Sequence, residues 1–293
     1  MKLRLATRGS LLAQTQSKWV AERLREALPG AEVELVTITT TGDTLPVEKW
    51  GTEGNKGLFA KEIEEALLAG QAEFAVHSCK DLPAVLPKGL IIGAFPKRQD
   101  PRDALISSGV KLASLPAHSK VGSASLRRQM QLVLLRPDLE YIAIRGNVDT
   151  RLRKLTEGEC AALVLAAAGL NRLGRAEVVT EFLDPAKVVP SPGQGALAIE
   201  ARADRADVLK ALALLDDAPT RAAVECERLF MAAMGGGCRM PLGAHARLKD
   251  KKIEMDVFYS PGGADPGRHM SANRAAGEGA ALAQELAMRM KKR

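Results

Sequence analysis

The residues best suited to chemistry fall in three kinds of place along the chain. His77-Ser78-Cys79-Lys80-Asp81 follows a run of strand-forming residues, at the strand end where reactive groups are often presented. A carboxylate flanked by a cation stays ionised at neutral pH, so Asp81 beside Lys80 can stabilise a cationic intermediate and carry protons. The same two residues serve equally well as a structural ion pair. His77 has no serine or cysteine arranged around it as a triad, and a lone strand histidine is more often packed than reactive. Gly235-Gly236-Gly237-Cys238-Arg239-Met240-Pro241 places a thiol on a loop stripped of neighbouring side chains. That stretch is either a glycine helix stop with an idle cysteine or a reactive, covalently modified thiol.

The third kind of place recurs. Arg8-Gly9-Ser10, Ser123-Ala124-Ser125-Leu126-Arg127-Arg128 and Arg145-Gly146-Asn147 with Arg151 all join a strand to a helix. Each pairs a capping residue or free backbone N–H groups with arginine, at a helix N-terminus whose dipole also favours anions. Three such junctions point to a ligand with several carboxylates or phosphates. Charge distribution agrees. Residues 1–97 carry 12 basic and 12 acidic side chains, residues 98–175 carry 13 and 7, and residues 176–293 carry 17 and 16. The net charge of +7 therefore sits mostly in the middle segment, where ten of the 13 basic residues are arginine. Arginine's planar fork grips carboxylate and phosphate bidentately, although a run of charge also serves as a plain solvated face.

The elements that must hold these residues read as alternating strands and helices. Lys2 to Thr7 is expected as a strand, and Ser10 to Leu28 as a helix with Leu12, Trp19, Leu24 and Leu28 near helical spacing. Glu32 to Thr39 is a strand by its β-branched alternation. Residues 41–57, rich in glycine and without periodicity, read as a lid loop. A helix over 58–69, a strand over 73–77 leading into Lys80-Asp81, and a strand over 90–95 complete a first set. After Gln99-Asp100-Pro101 the same grammar repeats, from Val121 through the helix of Leu170 and Arg172, and Pro190 to Gly195 returns the chain to a strand at 196–201. Helices at 205–215 and 219–234 lead to the glycine-cysteine loop. Three short strands over 242–276 and a helix over 279–290 follow. This alternation implies α/β sheets with crossover helices, whose ligands collect at the carboxyl ends of strands.

At 293 residues the chain is long enough for more than one core. The expected division is a first domain of 1–96 and 193–216, a second of 97–192, and a third of 217–293 carrying the cysteine loop. Mean hydropathy is −0.07 and no apolar run nears the ~18 residues of a membrane span. With no secretory signal pattern, a cytoplasmic protein is expected. The four cysteines are scattered, without C-x-x-C pairs or a histidine ladder, so neither a metal site nor a disulfide framework is expected.

Beyond these readings, the chain resembles one family. Ala6-Thr7-Arg8-Gly9-Ser10, Asn55-Lys56-Gly57-Leu58-Phe59, His77 to Pro83, Gly122 to Arg128, Arg145-Gly146-Asn147-Val148, Ala168 to Gly174, Pro192-Gly193-Gln194-Gly195 and Gly236-Gly237-Cys238 follow its motifs in order. The family is that of the porphobilinogen deaminases, or hydroxymethylbilane synthases, and the resemblance runs from Leu3 to the last helix. It implies a transferase that condenses four porphobilinogen molecules head to tail into linear hydroxymethylbilane, releasing ammonia at each step of tetrapyrrole (haem) biosynthesis. It also implies a dipyrromethane primer joined by a thioether to Cys238, and Asp81 as the catalytic carboxylate. Lys80, Asp81, Ser125, Arg127, Arg128, Arg145 and Gly146 fall at cofactor-binding positions. Arg8, Ser10, Lys56, Phe59, Arg151, Arg172 and Gln194 fall at substrate-binding ones. The implied fold is two α/β domains like those of type II periplasmic binding proteins, plus a small C-terminal α+β domain with a three-stranded antiparallel sheet. A monomer is implied.

Four residues depart from the commoner pattern: Ser123-Ala124 for a Thr-Ser pair, Asn55 for glycine, and Arg239 for glutamine. Two other classes compete with the enzyme. A solute-binding protein of the same two-domain architecture would need no reactive thiol. A nucleic-acid binder is suggested by the pI near 9.3 but has few stacking platforms at 3% aromatic residues, and its basic residues stand at helix starts, not along one face.

Overall fold

The computed structural model describes residues 1–44, 59–236, 240–262, 265 and 267–292. Lys56 and Cys238, with Asn55, Gly237 and Arg239, lie outside the described residues, as does most of the loop expected at 41–57. Two compact units are formed, Met1–Gln99 with Ala196–Val224, and Asp100–Gly195 with Glu225–Arg293.

The first unit starts with β1 (Lys2–Thr7), α1 (Leu11–Ala27) and β2 (Glu32–Thr37). Ser10 caps α1 as expected, accepting a hydrogen bond from the Ala13 amide at 3.4 Å. The buried stripe of α1 is Gln16, Ser17, Val20, Ala21 and Leu24, while Trp19 is 41% exposed. A polar link crosses from the stripe to the sheet: the Ser17 hydroxyl donates to Thr7 Oγ1 at 2.8 Å. There follow α2 (Thr41–Thr44), α3 (Lys61–Leu68), β3 (Phe74–Ser78) and β4 (Leu90–Ala94).

The second unit opens with β5 (Asp103–Ser107), then β6 (Lys120–Gly122), α4 (Leu126–Leu135), β7 (Glu140–Ile142), α5 (Val148–Thr156), β8 (Ala162–Ala166), α6 (Ala167–Arg172) and β9 (Glu181–Phe182). The chain then re-enters the first unit as β10 (Leu197–Arg202) and α7 (Ala206–Leu212), and continues through α8 (Ala218–Ala233). Last come β11 (Leu242–Lys249), β12 (Lys252–Tyr259), β13 (Arg268–Ala275) and α9 (Gly279–Lys291).

The sheet of the first unit has the order β2-β1-β3-β10-β4, and that of the second β7-β6-β8-β5-β9. These are one topology used twice, that of the type II periplasmic-binding-protein fold. Each sheet is mixed: β10 runs antiparallel to β3 and β4, and β5 antiparallel to β8 and β9. The odd strand is where the chain changes units. β5 and β9 are elements that sequence periodicity does not announce, since β5 is a continuous apolar run behind a charged residue and β9 spans two residues. The remaining sheet, β11-β12-β13, is the expected antiparallel three-stranded one.

Alternation on the first sheet builds two cores. Phe74 and Val76 of β3 pack with Leu3, Leu5, Val20, Leu24 and Leu212 on the α1 and α7 face. Ala75 packs with Ile63 and Leu67 of α3 on the other. At the end of α8, Gly235 (φ 102°) and Gly236 (φ 42°) occupy the left-handed region, which a side chain resists. Their amides bond back to Ala232 and Met231 at 3.0 and 2.9 Å and stop the helix.

In the second unit, β11 starts against the segment that precedes β10. The Ala244 amide donates to Pro190 O at 2.9 Å, and a Cβ on Gly243 would meet Val189 O at 2.7 Å. Fully buried Glu227 fastens the same seam, accepting from the Gly193 amide at 2.6 Å and the Ala246 amide at 2.7 Å. Gly243→Ala is expected to overpack this seam and cost about 1–3 kcal/mol, seen as a lower urea midpoint. An unchanged midpoint would show that the 189–190 backbone yields.

Candidate active site

The first unit holds an open pocket at the carboxyl ends of β1 and β3. Arg8, Ser10, Leu12, Ala13, Gln16, Phe59, Ala60, Val76, His77, Ser78 and Asp81 line it. Arg8 leaves β1 and lays its guanidinium over the Phe59 ring, 4.0 Å from the centroid. It also pairs with Asp43 at 2.5 Å. Burial alone would raise the Asp43 carboxyl, but hydrogen bonds from Arg8 and Thr40 outweigh it and hold the group below its ordinary range. A short 3₁₀ turn over Cys79–Asp81 follows β3, burying Cys79 while Asp81 stays exposed at the pocket and Lys80 half-buried. The Cys79 amide donates to Ala196 O at 3.0 Å, so the approach to β10 fixes the turn that presents Asp81. Gln16 bonds Ser78 Oγ at 2.9 Å and ties α1 to the same strand end.

In the second unit the arginines divide by environment. Arg127 and Arg128, in the first turn of α4, are 5% and 6% exposed and converge on fully buried Asp103 of β5. Nitrogens of both lie 2.8 Å from its oxygens. Arg127 also donates to Val189 O at 2.7 Å, and Arg128 to Val164 O at 3.1 Å. Gln194, 1% exposed, donates to Asp103 Oδ1 at 2.8 Å and to Pro101 O at 2.7 Å. Burial works to raise the Asp103 carboxyl, yet the two guanidinium charges and their hydrogen bonds win and push it far below the usual aspartate range. Two cations against one carboxylate leave this cluster with an excess positive charge.

Nearer the surface, Asn147 caps α5 by accepting from the Thr150 amide at 2.8 Å. Gly146, at φ 117°, permits the tight turn before it, where a Cβ would meet Thr150 at 2.8 Å. Arg151 Nε donates to Gly146 O at 2.7 Å, and Arg145 is half-buried on the same turn. Arg172, at the end of α6, donates to Gly195 O at 2.7 Å. Burial lowers its guanidinium to about 10, and no carboxylate pairs with it among the described residues. The Ser125 hydroxyl, at the start of α4, likewise makes no hydrogen bond among the described residues.

Among the described residues Arg172 has no carboxylate partner, and the Arg127–Arg128 cluster sets two cations against one carboxylate, a charge balance suited to a carboxylate-bearing ligand. The model described as "Porphobilinogen deaminase, dipyromethane cofactor binding domain" matches residues 3–210, and that of "Porphobilinogen deaminase, C-terminal domain" residues 221–292. The chain belongs to the porphobilinogen deaminase family. Porphobilinogen deaminase of Roseiflexus castenholzii is 49% identical over 291 residues, covering 97% of this chain and 95% of its own length. That of Syntrophobacter fumaroxidans is 51% identical over 254 residues, covering 86% and 82%. A TRAP periplasmic solute binding protein from Desulfovibrio salexigens superposes at a TM-score of 0.43 with 13% identity, covering 74% and 72%.

For a porphobilinogen deaminase the residues present fit the family's dipyrromethane: the Arg127–Arg128 cluster sets two cations against one carboxylate, and the Ser125 hydroxyl makes no helix-cap hydrogen bond. The first unit brings together Arg8, Ser10, Phe59 and Asp81, with Lys80 on the same turn. The second holds Ser125, Arg127, Arg128, Arg145, Gly146, Arg151, Arg172 and Gln194. Motif reading missed Asp43, Gln16 and Asp103. The signal for Asp103 was the arginine excess itself, since guanidinium groups buried in a core require a carboxylate among them.

Asp103→Asn is expected to strand two buried guanidinium groups and cost about 3–5 kcal/mol. The native carboxyl titrates below its unfolded value of about 3.9, so its contribution is present above that pH and lost as pH falls toward the folded value. Denaturation curves should therefore show a wild-type advantage at pH 7 that shrinks only at strongly acid pH. A pH-independent gap would contradict the charged-cluster account.

Proposed function

We propose that Asp81, at the pocket of the first unit, stabilises the cation left when ammonia departs from porphobilinogen. The protein is a transferase that condenses four porphobilinogen molecules head to tail into hydroxymethylbilane on its dipyrromethane primer. The single observation that best supports Asp81 is its place: an exposed carboxylate on the turn after β3, lining a pocket otherwise edged by Arg8, Ser10 and Phe59.

The family's primer supplies the pyrrole on which the chain is extended, and Cys238 is its proposed thioether anchor. Every pyrrole added brings an acetate and a propionate, so the bound chain gains negative charge at each step. Ser125, Arg127, Arg128, Arg145 and Gly146 are the proposed holders of the primer's carboxylates together with Lys80. Arg127 and Arg128 act as a field as much as by contact, because Asp103 already takes part of their hydrogen-bonding capacity. Arg8, Ser10, Lys56, Phe59, Arg151, Arg172 and Gln194 are assigned to the substrate. Arg8 must trade Asp43 for a substrate carboxylate, and the ring of Phe59 keeps its guanidinium in plane while it does so. Asp81, as an anion, accepts hydrogen bonds from pyrrole N–H groups and lowers the energy of the developing cation.

We further assign residues 1–96 with 193–216, 97–192 and 217–293 to three functional domains, and place the enzyme in the cytoplasm as a monomer. Among the described residues no helix is long and apolar enough to cross a membrane.

Two outcomes are expected. The purified protein should be heavier than its sequence mass by two linked pyrrole units, and Cys238→Ser should remove that excess in intact mass spectrometry; excess mass surviving in the variant would sink the anchor. Asp81→Ala should keep its fold by circular dichroism and lose at least about 100-fold in ammonia release. Turnover near wild type would remove Asp81 from the chemistry.

A further inference from the structure

Behind the pocket of the first unit lie an imidazole and two carboxylates that the mechanism above leaves unused. His77 lines the pocket and is 7% exposed. Its Nε2 sits 3.0 Å from Oε2 of Glu200, a residue with no exposed surface. Strand register explains the meeting. Ala198 stands opposite His77 and Ala75 opposite Glu200 in the antiparallel pairing of β10 with β3, so His77 and Glu200 are diagonal neighbours on one face of the sheet. That is the face where Ala75 packs on α3. From α3 comes Glu64, 8% exposed; burial raises its carboxyl and the charge of Glu200 raises it further, against a smaller lowering by His77.

This is an expensive way to fill space. Neither His77 Nε2 nor either oxygen of Glu200 makes a hydrogen bond among the described residues, and the 3.0 Å approach of His77 is the one such contact of Glu200 there, an ion pair once the imidazole is protonated. A buried pair with so little support returns less than its desolvation costs, and apolar residues of similar volume would pack as well. A histidine backed by a buried carboxylate and open to a pocket on its other side is, in contrast, an arrangement suited to taking up a proton.

Resting on the function proposed above, the reaction needs such a group. In each condensation the C–N bond of porphobilinogen breaks, its electron pair leaving with ammonia. The free α-carbon of the attacking pyrrole then donates a pair to the methylene carbon and forms the C–C bond. Aromaticity returns only when the α-C–H bond breaks, its pair flowing back into the ring and its proton passing to a base. Asp81 is committed as an anion to the cation that precedes this step. We propose that His77 accepts the α-carbon proton on the ring nitrogen that does not face Glu200. Glu200 is a positioning residue: its carboxylate, 3.0 Å from Nε2, biases the tautomer through its charge and offsets the imidazolium. The proton then passes from His77 to solvent at the open pocket, ammonia having left at C–N cleavage, and the pair is reset.

The test uses the cofactor-loaded enzyme, porphobilinogen deuterated at the free α-position, and ¹⁵N-histidine NMR. His77→Gln is expected to lower kcat at least about 100-fold with KM little changed, and to expose a primary deuterium isotope effect. Glu200→Gln, which keeps the volume, should give a smaller loss with the same isotope signature. In the spectrum of the resting wild type, the His77 resonance should report the Nε2–H tautomer and lose that preference in Glu200→Gln. Near-normal kcat without an isotope effect in both variants overturns the proposal, and so does a tautomer indifferent to Glu200. Should His77→Gln not fold, the Glu200→Gln kinetics and the two spectra decide alone. Wild-type enzyme that released no ammonia from porphobilinogen would instead remove the parent reading.

Discussion

The second unit is organised by one carboxylate. Asp103 begins β5, and the two arginines that close on it begin α4, so an interior strand and a helix N-terminus are tied together by charge. Gln194 joins the same oxygen from the return segment, and Val189 O, a few residues earlier, takes a bond from Arg127. Strand, helix and crossing segment therefore share a single buried centre. Removing the carboxylate would leave two guanidinium groups uncompensated in a medium of low dielectric, which is why the cluster depends on Asp103. The same economy serves the ligand. Because two guanidinium groups meet one carboxylate, the centre is held together and still presents surplus positive charge.

The first unit solves a different problem with the same sheet. Its pocket collects groups from the carboxyl ends of β1 and β3, and each is steadied by an element that follows another strand. Ser17 and Thr7 tie α1 to β1 below Arg8, Gln16 ties α1 to Ser78, and Ala196 holds the turn that carries Asp81. Precision at the pocket thus comes from short polar links to rigid elements. An arginine stacked on an aromatic ring and an exposed carboxylate differ in mobility, and that suits their tasks: one must exchange partners, the other must meet whatever cation forms.

Much of this was legible in the residues. Strand-to-helix junctions at Arg8, Arg127 and Arg145 could be placed because capping residues and glycines act locally, and Ser10 and Asn147 do cap as expected. The double glycine after α8 was legible for the same reason, since left-handed backbone strongly selects that residue. Burial was less legible. Trp19 has the right spacing for the core but lies off the buried stripe of Gln16, Ser17, Val20, Ala21 and Leu24. β5 was hidden, since a central antiparallel strand finds its partners sixty residues away and shows no alternation. Asp103 and Glu200 were hidden for a related reason: a buried carboxylate is recognised by its partner in space, and neither Arg127 nor His77 is near it in sequence.

The repeated sheet order has a consequence in time. All five strands of the second sheet lie in one stretch between Asp103 and Phe182, whereas the first sheet waits for β10, roughly a hundred residues after β4. A ribosome adding about 5–20 residues per second releases β10 some ~5–20 s after β4. During that interval β3 and β4 have no strand between them. The earlier half of the polypeptide must thus be guarded as an open sheet while the later half can already close, so the nascent chain's period of vulnerability belongs to its N-terminal strands.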